Sequence, residues 1–154
     1  ETVFEGVKRA NVPGDEPLLI FNIDTFRPGY TFPEQLEQWD GYLEVFEGSG
    51  KNWSYARTES EDSTVVVETA EKKEISKYCS TGLYYFGNAG LFKKAYELNQ
   101  TNPLNGKMEL YVAPLYNHLI ALSYKIHIHV IRREDVIFSG VPEEYEQILK
   151  DVVK

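Results

Sequence analysis

The chain has 154 residues, 42% of them hydrophobic, and carries 16 basic against 24 acidic side chains for a net charge of −8. That length can bury a core without a metal or disulfide staple, and the acidic balance argues against nucleic acid as a partner. No apolar run approaches the roughly 20 residues that span a bilayer, so no membrane partner is expected, and Cys79, the single cysteine, excludes an internal disulfide and fits a reducing, cytoplasmic setting.

The first ten residues, Glu1 to Ala10, read as a short amphipathic helix with Val3 and Val7 on one face, ended by the turn formers Asn11-Val12-Pro13-Gly14-Asp15. Leu18 to Ile23 is an almost continuous apolar run that stops at Asp24. Such a run is expected to be a strand buried on both faces that delivers a carboxylate to its C-terminal edge, where ligands bind in open α/β sheets; by its residues alone Asp24 equally fits a cap of the turn that follows. Arg27-Pro28-Gly29 is a turn, and Leu36 and Trp39 are spaced as on a helix over Pro33 to Trp39. The aromatic and β-branched content of Tyr42 to Phe46 marks a strand, followed by the polar loop Glu47 to Asn52.

Trp53 to Thr58 and Thr64 to Thr69 read as two strands joined by an acidic hairpin-like connection, with Val65-Val66-Val67 as the core signal. Glu71-Lys72-Lys73-Glu74 is a charged break that, by its residues alone, is a solvated turn. Tyr78 to Phe86 is a strand whose two faces carry Thr81, Leu83 and Tyr85, and Gly82, Tyr84 and Phe86; a glycine inside it suggests close approach by a backbone or ligand. Leu91, Ala95 and Leu98 place a helix over Gly90 to Leu98, and helix is expected again after Pro114 up to Ser123. Ile126, Ile128 and Val130 alternate with His127 and His129 in a strand, two histidines without an evident third metal ligand. Pro142 to Val153 closes the chain as an amphipathic helix. Strands interleaved with helices give an α/β class with a mixed, mainly parallel sheet and flanking helices.

Four features taken in order carry the functional reading: the strand ending at Asn22-Ile23-Asp24, then Ser54-Tyr55-Ala56, then Glu71-Lys72, then Tyr78 with Thr81-Gly82-Leu83-Tyr84. Together with Glu109, Tyr111 to Asn117 and Gly140-Val141-Pro142-Glu143-Glu144, they resemble the sugar-phosphate nucleotidyltransferases, the family that makes nucleoside-diphosphate sugars. The resemblance runs over nearly the whole chain. It lacks the family's Gly-rich loop for the nucleotide phosphates, so it covers the C-terminal portion of such an enzyme, one domain over residues 1–154.

The resemblance implies a GT-A-like, Rossmann-like nucleotidyltransferase fold and an enzyme that transfers a nucleoside monophosphate from a triphosphate to a sugar phosphate or similar acceptor, releasing pyrophosphate, although inactive as this fragment. Nucleotide-sugar and polysaccharide biosynthesis are the implied setting, and a homo-oligomer is left open. Asp24 would hold Mg²⁺ and act with Lys72 in catalysis; Asn22, Tyr55, Glu71, Tyr78, Thr81, Gly82, Glu109 and Asn117 would bind substrate. Many relatives place a second metal-binding aspartate directly after the aromatic strand, where this chain has Gly87. The alternative is a non-catalytic sugar-phosphate-binding or regulatory domain. A glycosyltransferase with an Asp-x-Asp metal pair is disfavoured by Asn22-Ile23-Asp24.

Overall fold

The central element is β6, Tyr78–Phe86, whose nine residues are all buried. In the computed structural model, which describes residues 1–103 and 110–152, this strand stands in the middle of a six-stranded sheet of order β5-β4-β6-β3-β7, with β1 also paired to β6. The other strands are β1 (Leu18–Phe21), β3 (Gly41–Glu47), β4 (Ser54–Thr58), β5 (Val66–Glu71) and β7 (Ile126–Val130). A two-residue strand β2 (Thr25–Phe26) pairs with β8 (Ile137–Phe138) in a separate ribbon.

The expected α/β class holds, but the sheet is mainly antiparallel, with β3 and β7 as its parallel pair among the described strands. The connection 59–65 is too short for the crossover of a dozen or more residues that a parallel pair needs, so β4 and β5 must reverse direction; β6 is in turn antiparallel to β4. Nor is β1 buried on both faces. It pairs with β6 along one side, Leu19 and Phe21 are about two-fifths exposed, and the strand ends at Phe21.

Three helices cover one face of the sheet: α1 (Thr2–Arg9), α2 (Ala89–Thr101) and α3 (Tyr116–Ala121). Val7, Leu91, Phe92, Ala95 and Leu119 pack there against Ile20, Leu43, Val45, Tyr84, Phe86, Ile126 and Ile128. Phe4 stacks on Tyr96 at 3.9 Å, which ties α1 to α2. The Asn88 side chain caps α2 by accepting from the Leu91 N–H at 2.9 Å. The expected helix at Pro33 to Trp39 is only a 3₁₀ turn, Leu36–Gln38, because so short a stretch cannot recover the cost of nucleating an α-helix. A 3₁₀ turn at Ala113–Leu115 likewise precedes α3. The last helix, α4, spans Pro142–Val152.

The opposite face carries Tyr42, Leu83 and Tyr85 under Tyr30, Leu36 and Trp39, and Phe46, Tyr55 and Cys79 under Val136 and Phe138. It also carries a buried charge. Glu44 is fully buried in β3, and Arg27 Nε donates to both its carboxylate oxygens at 3.0 and 3.1 Å. Thr81 Oγ1 lies 3.1 Å from Glu44 Oε1. At this point the β3–β6 register jumps, from Leu43 opposite Tyr84 to Val45 opposite Ser80, so residues 81–83 of β6 face Glu44 alone. This bulge, with its glycine at φ +89°, is also where β6 changes neighbour, from β4 at Cys79 to β1 at Leu83.

Removing one member of a buried ion pair strands the other, so Arg27→Met should cost about 3–5 kcal/mol in urea unfolding, and adding Glu44→Gln should return part of the loss. Burial lowers the pKa of His118, His127 and His129 below 6.5. The unfolded chain therefore takes up protons first as pH falls through 6.5, so stability is highest above that value and declines below it. Melting temperature should drop between pH 7.5 and 5.5, and His129→Gln should flatten that drop.

Candidate active-site cleft

The divergence of β4 from β1 at Gly82 opens the sheet, and a cleft of about 610 Å³ occupies the gap. Its floor is Ser80, Thr81, Gly82 and Tyr84 of β6. One wall is the turn carrying Asn22 and Asp24 between β1 and β2, joined by Gly140, Val141 and Glu144 at the start of α4. The other is the loop Ser49 to Ser54 with Glu71 and Lys72 at the end of β5, closed by Leu110, Tyr111 and Val112.

Gly82 is required twice. Its φ of +89° suits glycine, and a Cβ there would sit 2.5 Å from Asn22 Nδ2 and 3.0 Å from Asn22 Cβ. The close approach that the sequence suggests is thus made by the Asn22 side chain, and the Asn22 N–H donates to the Gly82 carbonyl at 3.1 Å. Asp24 follows on a fixed backbone, its carbonyl accepting from Ser139 N at 2.8 Å and Ser139 Oγ at 3.0 Å. Gly140 packs against the Asp24 carboxylate, with a virtual Cβ 2.8 Å from Oδ2 and 3.9 Å from Glu144 Oε2, so two carboxylates flank it. Glu144 Oε2 accepts from the N–H groups of Gly140 at 3.0 Å and Val141 at 3.3 Å, which caps α4.

Across the cleft, the Ser54 hydroxyl donates to Glu71 Oε2. The Tyr84 phenol hydrogen-bonds with Ser80 and Ser54, and burial raises its pKa against those bonds. Lys72 takes the left-handed conformation, φ +55°, with its N–H on the Trp53 carbonyl at 2.9 Å. Its ammonium donates to the Tyr111 hydroxyl at 2.9 Å and lies 5.0 Å from the centre of that ring. The charged break in the sequence is a sharp corner that turns Lys72 into the cleft.

Of the expected site residues, the catalytic pair Asp24 and Lys72 and the substrate-binding Asn22, Glu71, Thr81 and Gly82 meet in this cleft. The Thr81 hydroxyl is engaged by Glu44 below it. Three do not line it. Tyr55 is fully buried and donates to the Gly50 carbonyl at 2.5 Å, and Tyr78 belongs to the core under the helices. Asn117 grips the Thr69 backbone, accepting from its N–H and donating to its carbonyl, both at 2.8 Å. Glu109 lies outside the described residues. Glu144, Ser54 and Tyr111 lie in stretches that carry the resemblance but receive no role from the sequence; Glu144 three residues after Val141, at the head of an amphipathic run, is the half of a capping signal that marks the first.

No group of three or more His, Cys, Asp or Glu side chains among the described residues is arranged to hold a metal. The Asp24 and Glu144 carboxylates still fit a magnesium ion of the kind held by one or two carboxylates with substrate phosphates and water completing the octahedron. Gly87 has no part in this. Its N–H donates to the Asp40 carbonyl at 2.8 Å and it does not line the cleft, so an aspartate there would not reach Asp24 through it.

No family model and no curated protein matches the chain. Solved structures do. The nucleoside-diphosphate-sugar pyrophosphorylase from Vibrio cholerae RC9 is 46% identical with a TM-score of 0.88, over 96% of this chain and 61% of that one. The inositol-1-phosphate CTP transferase from T. maritima matches at 11% identity and a TM-score of 0.64, over 97% of this chain and 59% of that one. The UTP-bound UGPase from Acinetobacter baumannii matches at 11% and 0.66, over 95% and 53%, and like the T. maritima enzyme bears on the fold alone. The structural neighbours are nucleoside-diphosphate-sugar pyrophosphorylases and related sugar-phosphate nucleotidyltransferases, as the sequence resemblance implies. The chain spans 53–61% of the length of the structures it matches.

Gly82→Ala forces a side chain into a left-handed backbone and onto Asn22, and should lower unfolding free energy by about 1–3 kcal/mol in urea titration.

Proposed function

We propose that the chain is the acceptor-binding and metal-holding portion of a sugar-phosphate nucleotidyltransferase. The parent enzyme transfers a nucleoside monophosphate from a triphosphate to a sugar phosphate, and this portion alone is inactive. The observation that carries the reading is that Asp24 and Lys72, on separate walls, line one cleft in a chain 46% identical to a nucleoside-diphosphate-sugar pyrophosphorylase. A phosphate oxygen of the acceptor forms a bond to the α-phosphorus, and the bond from that phosphorus to the bridging oxygen breaks, so that pyrophosphate leaves with the electron pair. Transfers of this kind depend on positioning and charge neutralisation more than on covalent help.

Each residue then has a task. Asp24, with Glu144 near it, would hold Mg²⁺, which when bound neutralises charge on the α-phosphate and leaving group. Lys72 places a point charge beside the acceptor phosphate, steadied by Tyr111. Glu71, oriented by Ser54, accepts from sugar hydroxyls, and Asn22, seated on Gly82, supplies an amide to the same ligand. Such an enzyme serves nucleotide-sugar and polysaccharide synthesis in the cytoplasm.

The rest of the nucleotide site falls to further polypeptide, as the coverage of three-fifths of the relatives' length suggests. Leu19, Phe21, Phe26 and Phe32 are 39–54% exposed and Ile23 is 99% exposed, and among the described residues β1 pairs on one side alone. That apolar surface and strand edge are suited to cover by added strands and helices.

Pyrophosphate release by the full-length polypeptide, assayed over several triphosphates and sugar phosphates, tests the reading. Asp24→Asn should lower kcat by about 10²-fold or more, and Lys72→Ala should raise the acceptor KM. Release unaffected by either substitution removes those roles. No release with any pair, alongside measurable sugar-phosphate binding, leaves a binding domain instead.

A further inference from the structure

The loop between β3 and β4 is held more firmly than its glycines suggest. Gly50, at φ +125°, is gripped from both sides: its carbonyl accepts from the Tyr55 hydroxyl at 2.5 Å and its N–H donates to Glu74 Oε2 at 3.3 Å. The Gly48 N–H donates to the Lys77 carbonyl at 2.9 Å, and Trp53 packs its indole on Phe138 at 4.8 Å and Phe46 at 5.1 Å. The Tyr55 ring is itself locked in the core. A loop tied at its start, middle and end presents Lys51 to the cleft in a repeatable place.

Lys51 makes no hydrogen bond or ion pair among the described residues. Two of the three carboxylates around the cleft are already engaged, Glu71 by Ser54 and Glu144 by two backbone N–H groups. An exposed lysine lining a cleft in which two of three acids have other partners, and the third stands on the opposite wall, is placed to meet an anion from solution. We propose that Lys51 is a second cation of this cleft, which takes a phosphate oxyanion of a bound substrate, and that Tyr55 is the positioning residue that fixes it through Gly50. The inference rests on the cleft being a phosphate-substrate site, and deepens that reading by adding a recognition residue opposite the Asp24 wall.

Calorimetric titration of the full-length polypeptide with inorganic phosphate and with pyrophosphate tests it without requiring turnover. Lys51→Gln should weaken binding by about tenfold, the value of one charge-assisted hydrogen bond, at unchanged melting temperature. Lys51→Arg should restore most of the loss. Tyr55→Phe, which deletes only the hydroxyl, should weaken binding in the same direction, and adding Lys51→Gln to it should cost less than Lys51→Gln alone, a non-additivity that general loosening would not produce. In steady-state kinetics, a raised acceptor KM assigns the oxyanion to the sugar phosphate and a raised triphosphate KM assigns it to the nucleotide. Equal phosphate and pyrophosphate affinity in wild type and Lys51→Gln, or no binding of either by the wild type, overturns the proposal. Additive losses overturn the role of Tyr55. Lys51-dependent binding in a protein that performs no nucleotidyl transfer supports the inference while defeating the reaction.

Discussion

A carboxylate shut away from water is the constraint on which the cleft depends. Ionised Glu44 inside β3 is tolerable only with a cation and hydrogen-bond donors against it, and Arg27 and Thr81 supply them. Arg27 lies three residues after Asp24, and its guanidinium also donates to the Pro28 and Asp135 carbonyls, so the β1–β2 turn cannot drift from β3. Thr81 lies beside Gly82, so the same carboxylate pins the bulge of β6. The two cleft elements that touch each other, Asn22 and Gly82, are thereby tied through one buried group on the far face of the sheet.

The cleft itself is preorganised by small local bonds. Ser54 orients Glu71, backbone N–H groups orient Glu144, Tyr111 steadies Lys72, and Ser139 fixes the backbone of Asp24. Groups held this way need not be ordered again when a ligand arrives, which is where binding energy is otherwise lost.

Much of this architecture was legible because its signals are local. The span of β6 follows from aromatic and β-branched alternation between a charged break and Gly87-Asn88, and the β4–β5 pair follows from two strand-like runs around an acidic turn. What could not be read was which strands are neighbours. Leu18 to Phe21 is as apolar as a strand buried on both faces, yet half of that apolar surface faces outward, and nothing in the run itself distinguishes the two cases. The Arg27–Glu44 pair joins residues seventeen apart; in sequence, Glu44 is merely a charge in an otherwise apolar strand. Order along the chain brought Asp24, Glu71, Lys72 and Gly82 to one cleft. It did not separate Tyr55, Tyr78 and Asn117, which support the cleft's surroundings, because a motif records neighbourhood and not the direction in which a side chain points.

The turn of residues 22–24 belongs to two surfaces at once. Asn22 and Asp24 line the cleft while Ile23 between them is 99% exposed on the outer side of the turn. Leu19 and Phe21 are exposed apolar residues of β1 before it, a strand that among the described residues pairs on one side alone. Any layer that packs on Ile23 and pairs with β1 therefore bears directly on the residue proposed to hold the metal, since the peptide units flanking Ile23 are those of Asn22 and Asp24. A layer of that kind would brace the same turn that Asn22 on Gly82 and the Asp24 carbonyl on Ser139 already hold, so its effect on the cleft would pass through Asn22 and Asp24.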